Sequence, residues 1–359
     1  MKIDEQKCRD NAQKFDGYFH GLISAGLTPC ISVLCSRNGK ITYAFHGGSE
    51  RPCGEGRKLT AATRLNIASV TKTTTAAMIL KLVEQGRVSL TDRVVTFIPE
   101  YPFDDVTVFN LMTHTAGYDE MHIVPWPTSP DGLRAFYKEI YGIKERKYKT
   151  GETAAYWTFH YAILADILQR VSGQCLEAFA QEYLFRPLDM GHSTFELKKL
   201  TDEQLILPWY ERENRAFPEA CVPVATGDSG LYTTAEDLLH FAQMILDRGE
   251  FGGKRIFSRA AMELMLREST GGKFSKSPGL WIKGGVDTFG CFGDLSSPAA
   301  AGHTGMTGCM LLVDPGYDMA AVILTNSLKL HENWNNYKKI CDVLTVMQTD
   351  DDREVSICR

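Results

Sequence analysis

Ser69-Val70-Thr71-Lys72 sets a hydroxyl and a primary amine three residues apart. On a helix that begins near Ser69, the two side chains lie one turn apart on the same face. A serine hydroxyl is a poor nucleophile until a neighbouring base takes its proton, a task that a desolvated lysine can perform. The tetrapeptide sits between an apolar lead-in, Leu65-Asn66-Ile67-Ala68, and an amphipathic run from Thr73 to Val88. A helix N-terminus, with its partial positive charge, therefore falls at the serine and favours a developing oxyanion. Nucleophilic acyl transfer is the chemistry this pair suits.

Such a serine needs a second proton-transfer group, donors for an oxyanion and a wall for the substrate. Tyr156-Trp157-Thr158 follows a loop-like Thr150-Gly151-Glu152-Thr153 and precedes an apolar helix from Ala162. Its tyrosine either shuttles protons between nucleophile and leaving group or is a core aromatic with a satisfied hydroxyl. His303-Thr304-Gly305-Met306-Thr307-Gly308 runs directly into a strand. Glycine there lets a ligand approach the backbone, and an edge N–H can meet an oxyanion. His303 either donates a hydrogen bond or assists proton transfer, or it is structural. His114, within Leu111-Met112-Thr113-His114-Thr115-Ala116-Gly117, reads as a buried, hydrogen-bonded scaffold residue. Trp126, in the loop Pro125-Trp126-Pro127-Thr128-Ser129-Pro130, either lines a pocket or caps an apolar surface. No Gly-x-Ser-x-Gly elbow, His-Glu-x-x-His pair or phosphate-binding glycine loop is present.

The elements that must hold these groups follow from periodicity. Phe15, Tyr18, Phe19, Leu22 and Ile23 give residues 9–26 one buried helical stripe. Ile31-Ser32-Val33-Leu34 and Ile41-Thr42-Tyr43-Ala44-Phe45 flank Asn38-Gly39, the signature of a type I′ hairpin turn. From Ser69 to about Phe217 helical patterns dominate. Thr233-Thr234-Ala235-Glu236 reads as a capping box opening a helix through Leu246. Cys309–Val313 and Met319–Thr325 flank Asp314-Pro315-Gly316-Tyr317-Asp318 as a second hairpin, followed by a helix with Trp334, Tyr337, Ile340, Cys341 and Leu344 along one face. This layout predicts a mixed α/β (α+β) fold, an antiparallel sheet built from both chain ends and flanked by helices, with an inserted all-helical sub-domain. The expected division of this single catalytic domain is 1–64 with 225–359 for the sheet and 65–224 for the mainly helical part.

The 359 residues, 44% hydrophobic and 23% charged, suffice for a well-buried core. A net charge of -5 and the absence of a basic block argue against a nucleic-acid partner. The first seven residues lack the apolar centre of a signal peptide, and no apolar run is long enough to span a bilayer, so a cytoplasmic location is expected. The ten cysteines show no Cys-x-x-Cys spacing and read as mostly reduced, with no zinc site.

Together and in this order, the segments resemble the serine β-lactamase-like superfamily, nearest to its branch of class C β-lactamases, D,D-peptidases and related esterases. Leu65–Lys72 resembles the Ser-x-x-Lys element. Leu90-Thr91-Asp92-Arg93-Val94 through Ile98-Pro99-Glu100, Leu111–Gly117, Pro223–Leu239 and Gly302-His303-Thr304-Gly305 through Asp314-Pro315 resemble further segments of that branch. The resemblance covers about residues 15 to 345. It implies Ser69 as acylated nucleophile, Lys72 as its base partner and Tyr156 as second acid/base group. It also implies an oxyanion hole from the backbone N–H groups of Ser69 and Met306, and no metal or organic cofactor. Substrate would lie along His303, Thr304 and Gly305, with Trp157 as a wall if its side chain faces the site. Two departures matter. Tyr-x-Asn reads Tyr156-Trp157-Thr158, and Lys-Thr-Gly reads His303-Thr304-Gly305, replacing a permanent cation by a mostly neutral imidazole. Losing a charge-assisted hydrogen bond weakens carboxylate recognition by roughly 1.5–3 kcal/mol. The expected activity is that of a serine hydrolase on a small-molecule ester or amide, as esterase, amidase or acyl-transferase. The alternatives are a D,D-peptidase or β-lactamase acting on peptides or lactams, and a non-catalytic penicillin-binding-like sensor.

Overall fold

The computed structural model describes residues 1–119, 122–201, 203–284 and 290–349. Asn38 and Gly39 both take positive φ, 51° and 69°, so the expected tight turn joins the strands Cys30–Arg37 and Lys40–Gly48. A bulge between Cys35 and Ser36 shifts their register by one residue. Seven strands form the main sheet in the order Lys2–Ile3, Lys40–Gly48, Cys30–Arg37, Met319–Thr325, Met310–Asp314, Ala301–Thr304 and Trp281–Ile282. All pairs are antiparallel except the first, where Lys2–Ile3 runs parallel to Lys40 and Ile41.

The two chain ends meet at the middle of this sheet. Cys30–Arg37 pairs with Met319–Thr325 over seven residues, from Arg37 opposite Met319 to Ile31 opposite Thr325. Alternation then sorts the side chains onto two faces. Ile31, Val33 and Cys35 join Ala321 and Ile323 in one apolar cluster, together with Phe19 of the helix Glu5–Ser24 and Tyr337, Ile340 and Leu344 of the helix Trp334–Thr349. Leu34, Val322 and Leu324 face the other cluster, where the helix Ala235–Leu246 packs with Leu238, Leu239 and Phe241. Thr234 caps that helix by accepting from the N–H of Asp237, one residue later than the expected box, and the Asp237 carboxylate accepts instead from the His192 N–H and the Ser193 hydroxyl.

Between Gly48 and Trp281 the described chain contributes nothing to the main sheet. This insertion is helical apart from a few two- and three-residue strands, among them Leu205–Ile206, Trp209–Tyr210 and Arg215–Ala216. Its centre is the helix Thr71–Glu84, in which every residue from Thr71 to Leu80 is buried. It packs against the helix His160–Ser172. The amphipathic run expected to reach Val88 stops at Glu84, because Gly86 takes φ +67° and turns the chain. The short strand Arg64–Asn66 is held between Leu205–Ile206 and Tyr232–Thr233, which fixes the approach to Ser69. Six of the nine described cysteines are buried; Cys358 lies outside the described residues. Among the described residues, no helix is long and apolar enough to cross a membrane.

Candidate active site

Ser69 lies in a single 3-10 turn, Ala68–Val70, immediately ahead of the helix Thr71–Glu84. The turn is entered through Ala68 at φ +45°, a left-handed conformation that costs a non-glycine residue about 1–2 kcal/mol. Asn66 holds it there. Its side-chain oxygen accepts from the Ala68 N–H at 2.7 Å, its amide donates to the Ala220 carbonyl, and its own carbonyl accepts from the Thr307 hydroxyl. The strained turn presents Ser69 at the floor of a cleft of about 490 Å³ that Met306, Tyr156, His303 and Trp126 also line.

Two groups converge on the nucleophile candidate. Lys72 Nζ donates to Ser69 Oγ at 3.1 Å, and Tyr156 OH donates to the same oxygen at 2.9 Å. Lys72 is 0% exposed and spends its other protons on the Asp228 carbonyl at 2.7 Å and the Thr158 hydroxyl at 3.0 Å. Three well-directed acceptors fix a side chain that otherwise has four rotatable bonds. Tyr156 is held from behind: the His114 ring lies 4.6 Å from its ring, and the Ala155 N–H donates to the His114 carbonyl. His114 itself is 2% exposed and shares a 2.9 Å hydrogen bond with His160 between their Nδ1 atoms. Burial, aided by the charges of Lys276, His160 and Lys72, holds the His114 imidazole well below its usual range. The scaffold expected of His114 is the arrangement found.

Gly305 explains its own identity. A Cβ at that position would lie 2.3 Å from the Ile67 carbonyl oxygen, so only glycine lets the strand Ala301–Thr304 and its following turn close on the serine turn. Gly305 N–H bonds the Cys309 carbonyl and Gly308 N–H bonds the Gly305 carbonyl. No acceptor among the described residues meets the N–H of Met306 or of Ser69. His303 is 3% exposed; its Nδ1 lies 2.7 Å from the Thr304 carbonyl, and its Nε2 has no partner among the described residues. Burial and the charges of Lys72 and Lys276 hold this imidazole well below its usual range, so it is neutral at pH 7.

Trp157 borders the cleft, yet its indole is 1% exposed, stacked 4.2 Å from the Tyr118 ring and bonded to the His122 carbonyl. Tyr156 turns toward Ser69 while the adjacent Trp157 turns into the packing. Thr158, two residues on, points back to the site and links Lys72 to Asp228, whose Oδ2 accepts from Thr158 at 3.1 Å and from Trp126 Nε1 at 3.1 Å. His331, which ends the short helix Leu328–His331, and Trp334, which begins the last helix, also line the cleft, although the periodicity places Trp334 on a buried face. The described lining residues include no lysine or arginine.

A family profile described as Beta-lactamase matches residues 15–338. Among curated proteins, an Escherichia coli (strain K12) protein with the provisional description D-alanyl-D-alanine carboxypeptidase is 25% identical, over 83% of this chain and 78% of its own length. Among solved structures, the octameric penicillin-binding protein homologue from Pyrococcus abyssi superposes with a TM-score of 0.73 at 25% identity, covering 89% of this chain and 74% of that one. EstCE1, described as a hydrolase with promiscuous acyltransferase activity, superposes with a TM-score of 0.76 at 18% identity, covering 95% and 99%. The last likeness is one of fold.

Proposed function

Because this chain belongs to the beta-lactamase family and is a serine hydrolase of that superfamily, we propose that it works through an acyl-enzyme on Ser69, formed from a small ester or amide. The observation that carries this reading is the convergence of Lys72 Nζ and Tyr156 OH on Ser69 Oγ at 3.1 and 2.9 Å. Once the Lys72–Tyr156 pair has released one proton to solvent, it accepts the proton of Ser69 Oγ as that oxygen attacks the carbonyl carbon. The N–H groups of Ser69 and Met306 receive the oxyanion, and the proton returns through Tyr156 to the leaving group as the acyl–heteroatom bond breaks. Water or another acceptor then repeats the sequence in reverse to free the serine. His303, Thr304 and Gly305 form the edge along which the substrate lies, and Trp157 borders the cleft while packing on Tyr118.

The test is intact-mass detection of the adduct after incubation with a panel of esters, D-amino-acid amides and β-lactams. One acyl group on the parent and none on Ser69→Ala is the expected result. Full turnover of an activated ester by Ser69→Ala would sink the reading. The curated relative's description supports a second reading, a D,D-peptidase acting on a peptide that ends in a carboxylate. The neutral His303 and the lack of lysine or arginine among the described lining residues weigh against it.

A further inference from the structure

The hydrogen bonds around Lys72 do not end at Thr158. The Thr158 hydroxyl accepts from Lys72 at 3.0 Å and donates to Asp228 Oδ2 at 3.1 Å, so a single hydroxyl separates the amine from a carboxylate. The same oxygen takes the Trp126 indole N–H at 3.1 Å. Asp228 and Lys72 are each 0% exposed. The other carboxylate oxygen, Oδ1, is buried and has no partner among the described residues. Two hydrogen bonds accepted at one oxygen are within the reach of an amide, and a carboxylate with an unpaired oxygen is costlier to bury than an amide. What aspartate adds at this position is its charge.

That charge stands one hydroxyl away from Lys72, and Lys72 is the cation that reaches the nucleophile. Elsewhere in the cleft no described lining residue is a lysine or arginine, and Glu219 is already paired with Arg215. Resting on the acyl-enzyme reading, we propose that Asp228 is a specificity-determining residue. Through Thr158 it cancels the field of Lys72 in the cleft, so that the enzyme takes uncharged acyl donors and discriminates against those bearing a carboxylate. Trp126 belongs to the same device. Its ring lines the cleft and packs 5.5 Å from Phe159, while its N–H keeps the carboxylate turned toward Thr158.

The experiment compares kcat/KM for para-nitrophenyl butyrate and for the para-nitrophenyl monoester of succinate, which carries a carboxylate at the acyl end. The parent should favour the neutral ester. Removing a unit charge about 10 Å from the substrate carboxylate, at an effective dielectric of about 20, should move the ratio toward the anionic ester by about tenfold in Asp228→Asn. Asparagine can keep both bonds at one oxygen and place its NH₂ where Oδ1 has no partner. Asp228→Ser serves as a second charge-removing variant. A merely structural role lowers both substrates alike and leaves the ratio unchanged, and that result overturns the inference, as does unfolding of both variants. A parent that turns over the neutral ester through Ser69 while Asp228→Asn keeps the parental ratio removes only this inference. A parent inert toward both esters removes the acyl-enzyme reading with it.

Discussion

At the scale of single residues, the site depends on one oxygen receiving two donors. Tyr156 OH lies 2.9 Å from Ser69 Oγ, while its ring is packed by His114 and lies 5.2 Å from Lys72 Nζ. Tyr156→Phe therefore deletes the proton path and leaves the packing in place. It is expected to lower kcat on an activated ester by about 10²–10⁴-fold with an unchanged circular-dichroism spectrum. A kcat within twofold of the parent would assign the whole proton transfer to Lys72. Thr158 shows why the departure from Tyr-x-Asn keeps the lysine anchored: a hydroxyl both accepts from Lys72 and donates to Asp228. An asparagine amide could serve each bond only through a different atom.

At the scale of elements, two segments distant in sequence must approach within van der Waals contact. Gly305 meets the Ile67 carbonyl and Ala68, and a methyl group there has no room. Gly305→Ala is expected to push the Met306 turn away from Ser69 and lower kcat by about 10–10³-fold, in the range of losing one oxyanion donor, and to lower the melting temperature as well, because the obstructing atom belongs to the backbone. An unchanged kcat would show that the Met306 N–H takes no part. Much of this scale was legible beforehand. Asn38-Gly39 announces its turn, the two hairpins and the last helix carry their own periodicities, and Ser69, Lys72, Tyr156 and His303 stand in recognisable segments. Other features leave no local mark. Nothing near Asp228 signals that its carboxylate meets Trp126, 102 positions away, or Thr158, 70 away. Trp334 satisfies the spacing of a buried stripe yet borders the cleft, because periodicity reports which side of a helix faces protein and not where that protein ends. Trp157 has the converse history: a large aromatic beside the tyrosine invites a role in binding, and its stacking on Tyr118 and bond to the His122 carbonyl hold it inward.

At the scale of the whole molecule, several neutral imidazoles are buried at once. Burial pushes His160 down to about 3 and His331 down to about 4, and holds His114 and His303 well below their usual range. An unfolded histidine takes a proton near pH 6.5, so below that value the unfolded chain binds protons that the folded chain refuses. Stability is thus fully present above about pH 6.5 and is lost as pH falls toward the folded values, by about 1.4 kcal/mol per pH unit for each such histidine. Urea midpoints should be level from pH 7 to 8 and fall steeply between pH 6.5 and 5; a level midpoint throughout would mean that the folded chain accepts these protons. The pairing of Cys30–Arg37 with Met319–Thr325 has a temporal consequence as well. About 280 residues separate these strands, which at roughly 5–20 residues per second is about 15–55 seconds of synthesis. During that interval the first hairpin waits on the ribosome with an open edge of Ile31, Val33 and Leu34, while the serine helix and its neighbours are already made. In the cell, Ser69 is made before the strand Ala301–Thr304 and the turn that bring Met306 into its cleft, so on the proposed mechanism competence waits for the late strands.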